Sequence, residues 1–267
     1  MQLIRITRDT LAQWQPELEA LEQRSVYPLG DDAFRISHGR DYFAFFERLG
    51  DVRYYAWQHE NELVAVGCGV LRPATPSAPA RWYLGDVKVR PDHRGRHLPI
   101  AMLRRAFLSN WLRCGRGYAI AMNPADGSEP PGARLVKHFG WIPPSLMRTQ
   151  QLHIYSADTE RTRAALPMLS STRRGRPHFV SLLGIKDLVL ESTKKPLSLL
   201  HAKYGDAVDE RWFREPQKGS AHMWCTLAGS QLDVALRQNA FAPSATATLI
   251  SHRLASCDWS ALDTSEI

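Results

Sequence analysis

Between Trp82 and Phe107 the chain gathers side chains able to hold an anion or move a proton: Asp86, Lys88, Arg90, Asp92, His93, Arg94, Arg96 and His97. The pattern predicts a strand over Trp82 to Val89, a turn opened by Pro91-Asp92, an Arg94-Gly95-Arg96 loop, and a helix. That helix carries Leu98, Met102, Leu103 and Phe107 on one stripe. A strand that runs through a tight basic loop into a helix N-terminus makes an anion site. Loop amides point outward, the helix dipole is positive there, and Arg94 and Arg96 add full charges. Pro99 is tolerated in a first helical turn, where an N–H has no helical partner, but it offers no amide to a ligand. Asp86 is the best proton acceptor in the stretch, provided that partial burial lifts its pKa toward neutrality. The other reading of Asp86 is a local pairing with Lys88 or an arginine. His93 and His97 flank the loop and titrate in a useful range, although a histidine beside phosphates is more often a binding contact.

The elements that would position this stretch read as follows. Leu3 to Thr7 is a short strand, Asp9 or Thr10 caps a helix to about Gln23, and Arg40 to Leu49 is a second helix rich in Tyr42, Phe43, Phe45 and Phe46. Those aromatics are core or the wall of a substrate pocket. Arg53 to His59 and Glu62 to Leu71 form a hairpin turning at Glu60-Asn61. After the strand–loop–helix unit come a strand over Tyr118 to Met122, a short helix over Ala133 to Phe139, and a strand over Ser145 to Tyr155.

This order, together with Val89-Arg-Pro-Asp-His-Arg-Gly95, resembles the GNAT acyltransferases and their pyrophosphate loop, Arg/Gln-x-x-Gly-x-Gly/Ala. Ala133-Arg-Leu-Val-Lys-His-Phe-Gly-Trp141 resembles the family's late helix, "A-x-x-x-Y-x-x-x-G-F". The likeness runs over roughly residues 1 to 156. It departs from the pattern at His97 and Pro99, where later loop glycines would stand, and at Val136, where the family often has a tyrosine that protonates the leaving thiolate. The resemblance implies an α/β (α+β) fold with a mixed sheet flanked by helices. It also implies transfer of an acetyl or longer acyl group from CoA to a small-molecule or peptide amine, without a metal. Arg94, Gly95, Arg96, His97 and Leu98 would hold the diphosphate, and the backbone of Val87 and Val89 would align the thioester. Asp86 would be the base. Asn123 would reach the pantetheine arm or the amine, or else it is a plain turn residue before Pro124. Two alternatives stay open: a donor carried on an acyl carrier protein, and a non-catalytic module.

The remaining composition bounds these readings. With 267 residues, 44% of them hydrophobic and 9% aromatic, the chain can bury a large core in one big or two modest domains. Cys68, Cys114, Cys225 and Cys257 are scattered, which suggests neither a zinc site nor a disulfide framework. No signal-like or membrane-length apolar run is present, so a cytoplasmic protein is the default expectation. The net charge of +7 invites nucleic acid, but no helix-turn-helix, zinc-finger or RNA-binding aromatic pattern accompanies it.

We place a boundary at residue 157, giving a first domain over 1–157 and a second over 158–267. In the latter we expect a helix to Leu169, a strand over Phe179 to Leu190, a helix over Pro196 to Tyr204, a strand over His222 to Leu227, a helix over Leu232 to Gln238 and a strand over Thr246 to His252. This rhythm repeats that of residues 82 to 155, and Ala235 to Phe241 resembles Leu135 to Trp141. The second part therefore reads either as an incomplete GNAT-like half or as an unrelated α/β extension. Lys194-Lys195-Pro196 stands where a phosphate loop would be, without a glycine.

Overall fold

The computed structural model describes residues 1–75, 78–126, 128–138, 143, 145–171, 175–205, 211–259 and 262–267. The motif residues Phe139-Gly140-Trp141 lie outside these described residues. Among the described helices, none is long and apolar enough to cross a membrane.

In chain order the elements are β1 (Gln2–Ile6), α1 (Arg8–Glu22), β2 (Tyr27–Leu29), β3 (Asp32–Ser37), α2 (Ala44–Leu49), β4 (Asp51–His59), β5 (Glu62–Arg72) and β6 (Arg81–Val89). Then follow α3 (Leu98–Trp111), β7 (Gly117–Met122), α4 (Pro131–Lys137), β8 (Met147–Ala157), α5 (Thr159–Ser170), β9 (His178–Ser181) and β10 (Asp187–Leu190). The chain continues with β11 (Leu199–Lys203), β12 (Trp212–Phe213), β13 (Ala221–Leu227), α6 (Gln231–Gln238) and β14 (Ala245–His252).

One 11-stranded mixed sheet runs in the order β1-β4-β5-β6-β7-β14-β8-β13-β11-β9-β12, and β10-β3-β2 form a second, three-stranded sheet. The large sheet has a pseudo-symmetric centre. β6 and β7 are parallel, as are β11 and β13. Between these pairs lie β14 and β8, antiparallel to each other, and each pairs with the other half of the chain: β14 with β7, and β8 with β13. Residue 157 ends β8, whose two neighbours both come from later in the chain, so the sheet passes unbroken across the expected boundary.

The inner face of the sheet closes on one core, which includes Leu18, Phe45, Tyr54, Tyr118, Ile154, Met223, Leu249 and Trp259. On the outer face α3 covers Trp57 and Ala65, while α5 and α6 cover Tyr155, Trp224 and Leu200. Residues near the end of the sequence thread into the inner core. The Glu266 carboxylate accepts from Arg72 and from the Tyr118 hydroxyl at 2.5 Å. Lys186 Nζ donates to the carbonyls of Ser265 and Ile267, at 2.8 and 2.6 Å.

Several expectations are corrected. Pro196 to Tyr204 is not a helix but leads into strand β11, whose Leu199 to Ala202 are buried on both faces, so the polar–apolar alternation that marks a half-exposed strand is missing. The run Phe179 to Leu190 is two strands. A turn at Leu182 to Lys186 sends β10 to pair with β3 in the smaller sheet. The hairpin β2–β3 was not read, and the helix at Arg40 begins only at Ala44. Lys194-Lys195-Pro196 precedes β11, whereas the position equivalent to the first half's loop follows Lys203.

Two outcomes follow from this packing. Leu249 on the shared strand β14 is fully buried, so Leu249→Ala should cost about 2–5 kcal/mol. Thermal melts followed by tryptophan near-UV dichroism should show one transition rather than two. Burial also pulls Lys186 down to about 8 from the 10.5 of an open chain. Between those pH values the unfolded state binds more protons, so stability should rise with pH there. Urea melts at about pH 8 and about pH 10 should show that rise in the parent protein and a smaller one in Lys186→Met.

Candidate functional site

The site begins with an irregularity in the β5–β6 ladder. Val66 faces Lys88 and Cys68 faces Gly85, so Asp86 and Val87 together oppose the single residue Gly67. This is a β-bulge, and Asp86 takes the left-handed conformation it requires, with φ of 53°. The extra residue shifts the side-chain alternation. Without it, Asp86 and Lys88 would leave on the outer face, opposite Tyr83. With it, both side chains turn into the inner core, 4% and 3% exposed, and Val87 faces outward, 52% exposed.

The same strand separates from its parallel neighbour. The β6–β7 ladder ends at Leu84 and Ala119, although β6 continues to Val89 and β7 to Met122. From Gly85 to Val89 the β7-facing edge of β6 therefore has no ladder partner, while β7 stays paired through Met122 with β14 on its other edge. Val87 and Val89 lie in this splayed segment.

The loop that follows is anchored at both ends and open in the middle. Arg90 N donates to Val64 O at 2.9 Å, and its guanidinium pairs with Glu62 and Asp92. Pro91 to His93 form a 3-10 turn closed by Arg94 N on Pro91 O. Gly95 and His97 adopt φ of 78° and 55°, which turns the intervening amides outward; the space beside Gly95 is open. Among the described residues, the amides of Gly95, Arg96, His97 and Leu98 donate to no protein acceptor, and neither Arg94 nor Arg96 has an ion-pair partner. Pro99 has no amide to give, and the amides of Ile100 and Ala101 both turn back to His97 O. Trp57 Nε1 holds Leu98 O at 3.0 Å, fixing where α3 starts. The His97 ring meets that of His138, just beyond α4, edge-on at 4.6 Å.

Behind the bulge lies a buried charge cluster. The Asp86 carboxylate accepts from Lys88 Nζ, from the Tyr54 hydroxyl and from the Tyr42 hydroxyl at 2.8 Å. Lys88 Nζ lies 3.0 Å from the Tyr42 oxygen and 3.6 Å from Glu22, and Glu22 pairs with His38. Burial alone would raise the Asp86 pKa, but Lys88, His38 and the donated hydrogen bonds outweigh it and hold the carboxyl below its usual range. Asp86 is thus ionised, the reverse of the upward shift expected from the sequence, and it has the local pairing with Lys88. Burial also pulls on Lys88, yet Asp86 and Glu22 overcome it and keep the ammonium charged. Burial, then the Asp86 charge, raises Tyr42 and Tyr54 far above the ordinary phenol. Oxygen and nitrogen atoms of Glu22, His38 and Asp86 lie within 4.8 Å of one another, a spacing that could hold a metal ion. The Lys88 ammonium sits against both carboxylates and supplies that positive charge itself.

Asp86, Val87 and Val89 share the bulged strand that leads into the loop Arg94 to Leu98, with the Asp86 carboxylate turned inward and Val87 outward. Asn123 lies apart in its bonding: its carboxamide donates to Thr246 Oγ1 at 2.9 Å and accepts from Thr248 Oγ1 at 2.7 Å, both on β14. Val136 is half-buried on α4. The sequence reading missed Glu22, His38 and Tyr54. The one available signal was Lys88, a charge at a position that strand alternation alone assigns to the wrong face.

The model of the family described as "Acetyltransferase (GNAT) family" matches residues 16–124. No curated protein matches the chain. Among solved structures, a tandem GNAT protein from the clavulanic acid biosynthesis pathway aligns over 94% of this chain and 97% of its own, at 11% identity and a TM-score of 0.46. A putative acetyltransferase from Thermoplasma acidophilum aligns over 75% and 78%, at 15% identity and a TM-score of 0.37. An aminoglycoside 6'-N-acetyltransferase complexed with coenzyme A aligns over 48% of this chain, at 14% identity and a TM-score of 0.34; the match spans 65% of that enzyme's length. The segment that holds the bulged strand β6 and the open loop before α3 is thus the one, residues 16–124, that matches the Acetyltransferase (GNAT) family.

Proposed function

We propose that the chain is a CoA-dependent N-acyltransferase that moves an acyl group, acetyl by default, from CoA to the amine of a small molecule or peptide. The observation that carries this reading is the splayed, bulged strand β6 running directly into a loop with four unclaimed amides. The residues fit the donor's diphosphate. The amides of Gly95 to Leu98 and the unpaired Arg94 and Arg96 face open space at a helix start. The unpaired edge of β6 around Val87 and Val89 offers backbone groups to the thioester carbonyl, an oxyanion-type contribution. We assign residues 1–157 to the acyltransferase unit and 158–267 to a second, GNAT-like half that completes the inner core.

In the transfer, the amine nitrogen attacks the carbonyl carbon, the carbon–sulfur bond breaks, CoA leaves as its thiolate, and the nitrogen sheds a proton. Asp86 is the proton acceptor in this reading. It is ionised and ready to accept, and the Tyr42 and Tyr54 hydroxyls already donate to it. Its lowered pKa limits the driving force of that step, so the carboxylate also serves to orient the two phenols. The helix α4 carries no hydroxyl, so the departing thiolate is not protonated from that helix.

Arg94→Ala should weaken CoA binding by about 1.5–3 kcal/mol in calorimetry. Unchanged affinity, or no heat with CoA in the parent protein, would remove the loop from the cofactor site and leave the carrier-protein or inactive reading. Asp86→Asn should lower kcat by about a hundredfold or more while CoA affinity stays within error. A variant that binds CoA normally and turns over at the parent rate would show that Asp86 only supports the bulge.

A further inference from the structure

A second constellation lies far from the bulge in the chain and takes no part in the reaction described above. Where β8 meets the start of α6, His153 Nδ1 sits 2.8 Å from the Asp233 carboxylate. That carboxylate is 1% exposed and fully occupied. It also accepts from the Tyr155 hydroxyl at 2.6 Å and from Gly229 N at 2.8 Å. Burial would raise Asp233, but these three donors outweigh it and keep the group ionised. The 2.8 Å contact with the carboxylate sets the tautomer of the uncharged imidazole form: Nδ1 carries the proton and donates to Asp233, and Nε2 is then an acceptor. Among the described residues Nε2 has no partner and is not among the buried unsatisfied atoms.

His153 lines an open groove together with Arg237, Ala240, Phe241, Ala242 and Pro243. Arg237 is exposed and has no ion pair among the described residues, while Arg161 lies over the Phe241 ring at 5.1 Å and ties its guanidinium to Ala240 O. The groove thus presents a proton acceptor, a free cation and an apolar floor. The Asp233 hub is rigid: Ser230 caps α6 onto Asp233 N, and Tyr155 stacks on Trp224.

We propose that this groove is a second ligand site, for a small organic anion that also carries a hydroxyl group and has an apolar body. Arg237 takes the anionic group, His153 Nε2 accepts from the hydroxyl, and the Ala240 to Pro243 segment receives the apolar part. Asp233 and Tyr155 are positioning residues, acting through His153. The site is built where β8 of the first part meets α6 and the Ala240 to Pro243 segment of the second, and it is separate from the loop that follows β6.

The test uses the full chain and p-hydroxybenzoate as the probe, read at the His153 imidazole nitrogens by nuclear magnetic resonance. That readout is local, so binding at the Arg94 loop does not register. The His153 resonances should move saturably, with Nε2 responding more than Nδ1. Benzoate, which lacks the hydroxyl, and phenol, which lacks the anion, should each bind about tenfold more weakly. Arg237→Gln, a change at an exposed side chain, should weaken p-hydroxybenzoate to the level of phenol. Resonances that do not move, benzoate or phenol binding as well as the probe, or an unaltered affinity in Arg237→Gln would each overturn the proposal.

Discussion

The structure of the first half turns on two residues of β6 lying opposite one of β5. Asp86 and Val87 share the place that Gly67 alone occupies on the neighbouring strand. A Cβ at Gly67 would come within 3.0 Å of the Met102 sulfur on α3, so the methionine would have to shift, while Val87 would stay in ordinary contact at 3.8 Å. The strain of a left-handed aspartate, of order 1–3 kcal/mol, persists because its surroundings fix it. Its carboxylate is anchored by three donors, and the strand on either side stays paired with β5. The bulge then has two consequences at once. It turns a charge pair inward, and it leaves the far part of β6 without its parallel partner, so the strand can run free into the loop.

Inward charges bring a constraint of their own. Removing one partner from a buried pair costs about 3–5 kcal/mol, since the other charge is left uncompensated. Asp86 and Lys88 could not both be buried without the phenols of Tyr42 and Tyr54 and the Glu22–His38 pair behind them. This explains the aromatic run that leads into α2. Tyr42, Phe43, Phe45 and Phe46 pack around Tyr54 and His38 and are all buried. The core on the inner face and the electrostatics of the site are one arrangement.

Much of this was legible in the chain, and the reasons for the misses are specific. The strand, loop and helix around Arg94 could be read because proline, glycine and the apolar stripe from Leu98 to Met102 punctuate them locally. The inward turn of Asp86 could not, since period-two alternation places it on the outer face and only pairing with β5 reveals the extra residue. Glu22 and His38 sit on a helix and in a loop with no motif between them; their meeting is a tertiary fact. β11 was misread as a helix because Leu199 to Ala202, including His201, are buried on both faces and show no alternation, and periodicity cannot distinguish a doubly buried strand from a helix segment. The faint likeness of Ala235–Phe241 to Leu135–Trp141 corresponds to real placement, in that α4 and α6 each precede one of the two central strands. Those strands are exchanged across the middle of the sheet, a feature no local pattern encodes.

The two halves share a geometry but use it differently. In each, a parallel pair stops early: β6–β7 after Leu84 and Ala119, β11–β13 after His201 and Met223. In the first half the freed strand runs into a loop and a 14-residue helix, whose start offers amides and a positive dipole. Among the described residues, the element that follows β11 is the two-residue strand β12 and not a helix. The inner side of that second opening is also filled by the protein itself. Thr264 binds His201 Nδ1 at 2.9 Å and donates to Met223 O at 3.2 Å, so groups that would line a ligand site are satisfied internally. Burial pulls the His201 pKa down to about 4, which keeps that imidazole neutral and suits a packed interface rather than a binding surface. Among the described residues the first opening thus stays free, whereas the second is closed from within, and His153 of β8 meets Arg237 of α6 on the outer face of the sheet.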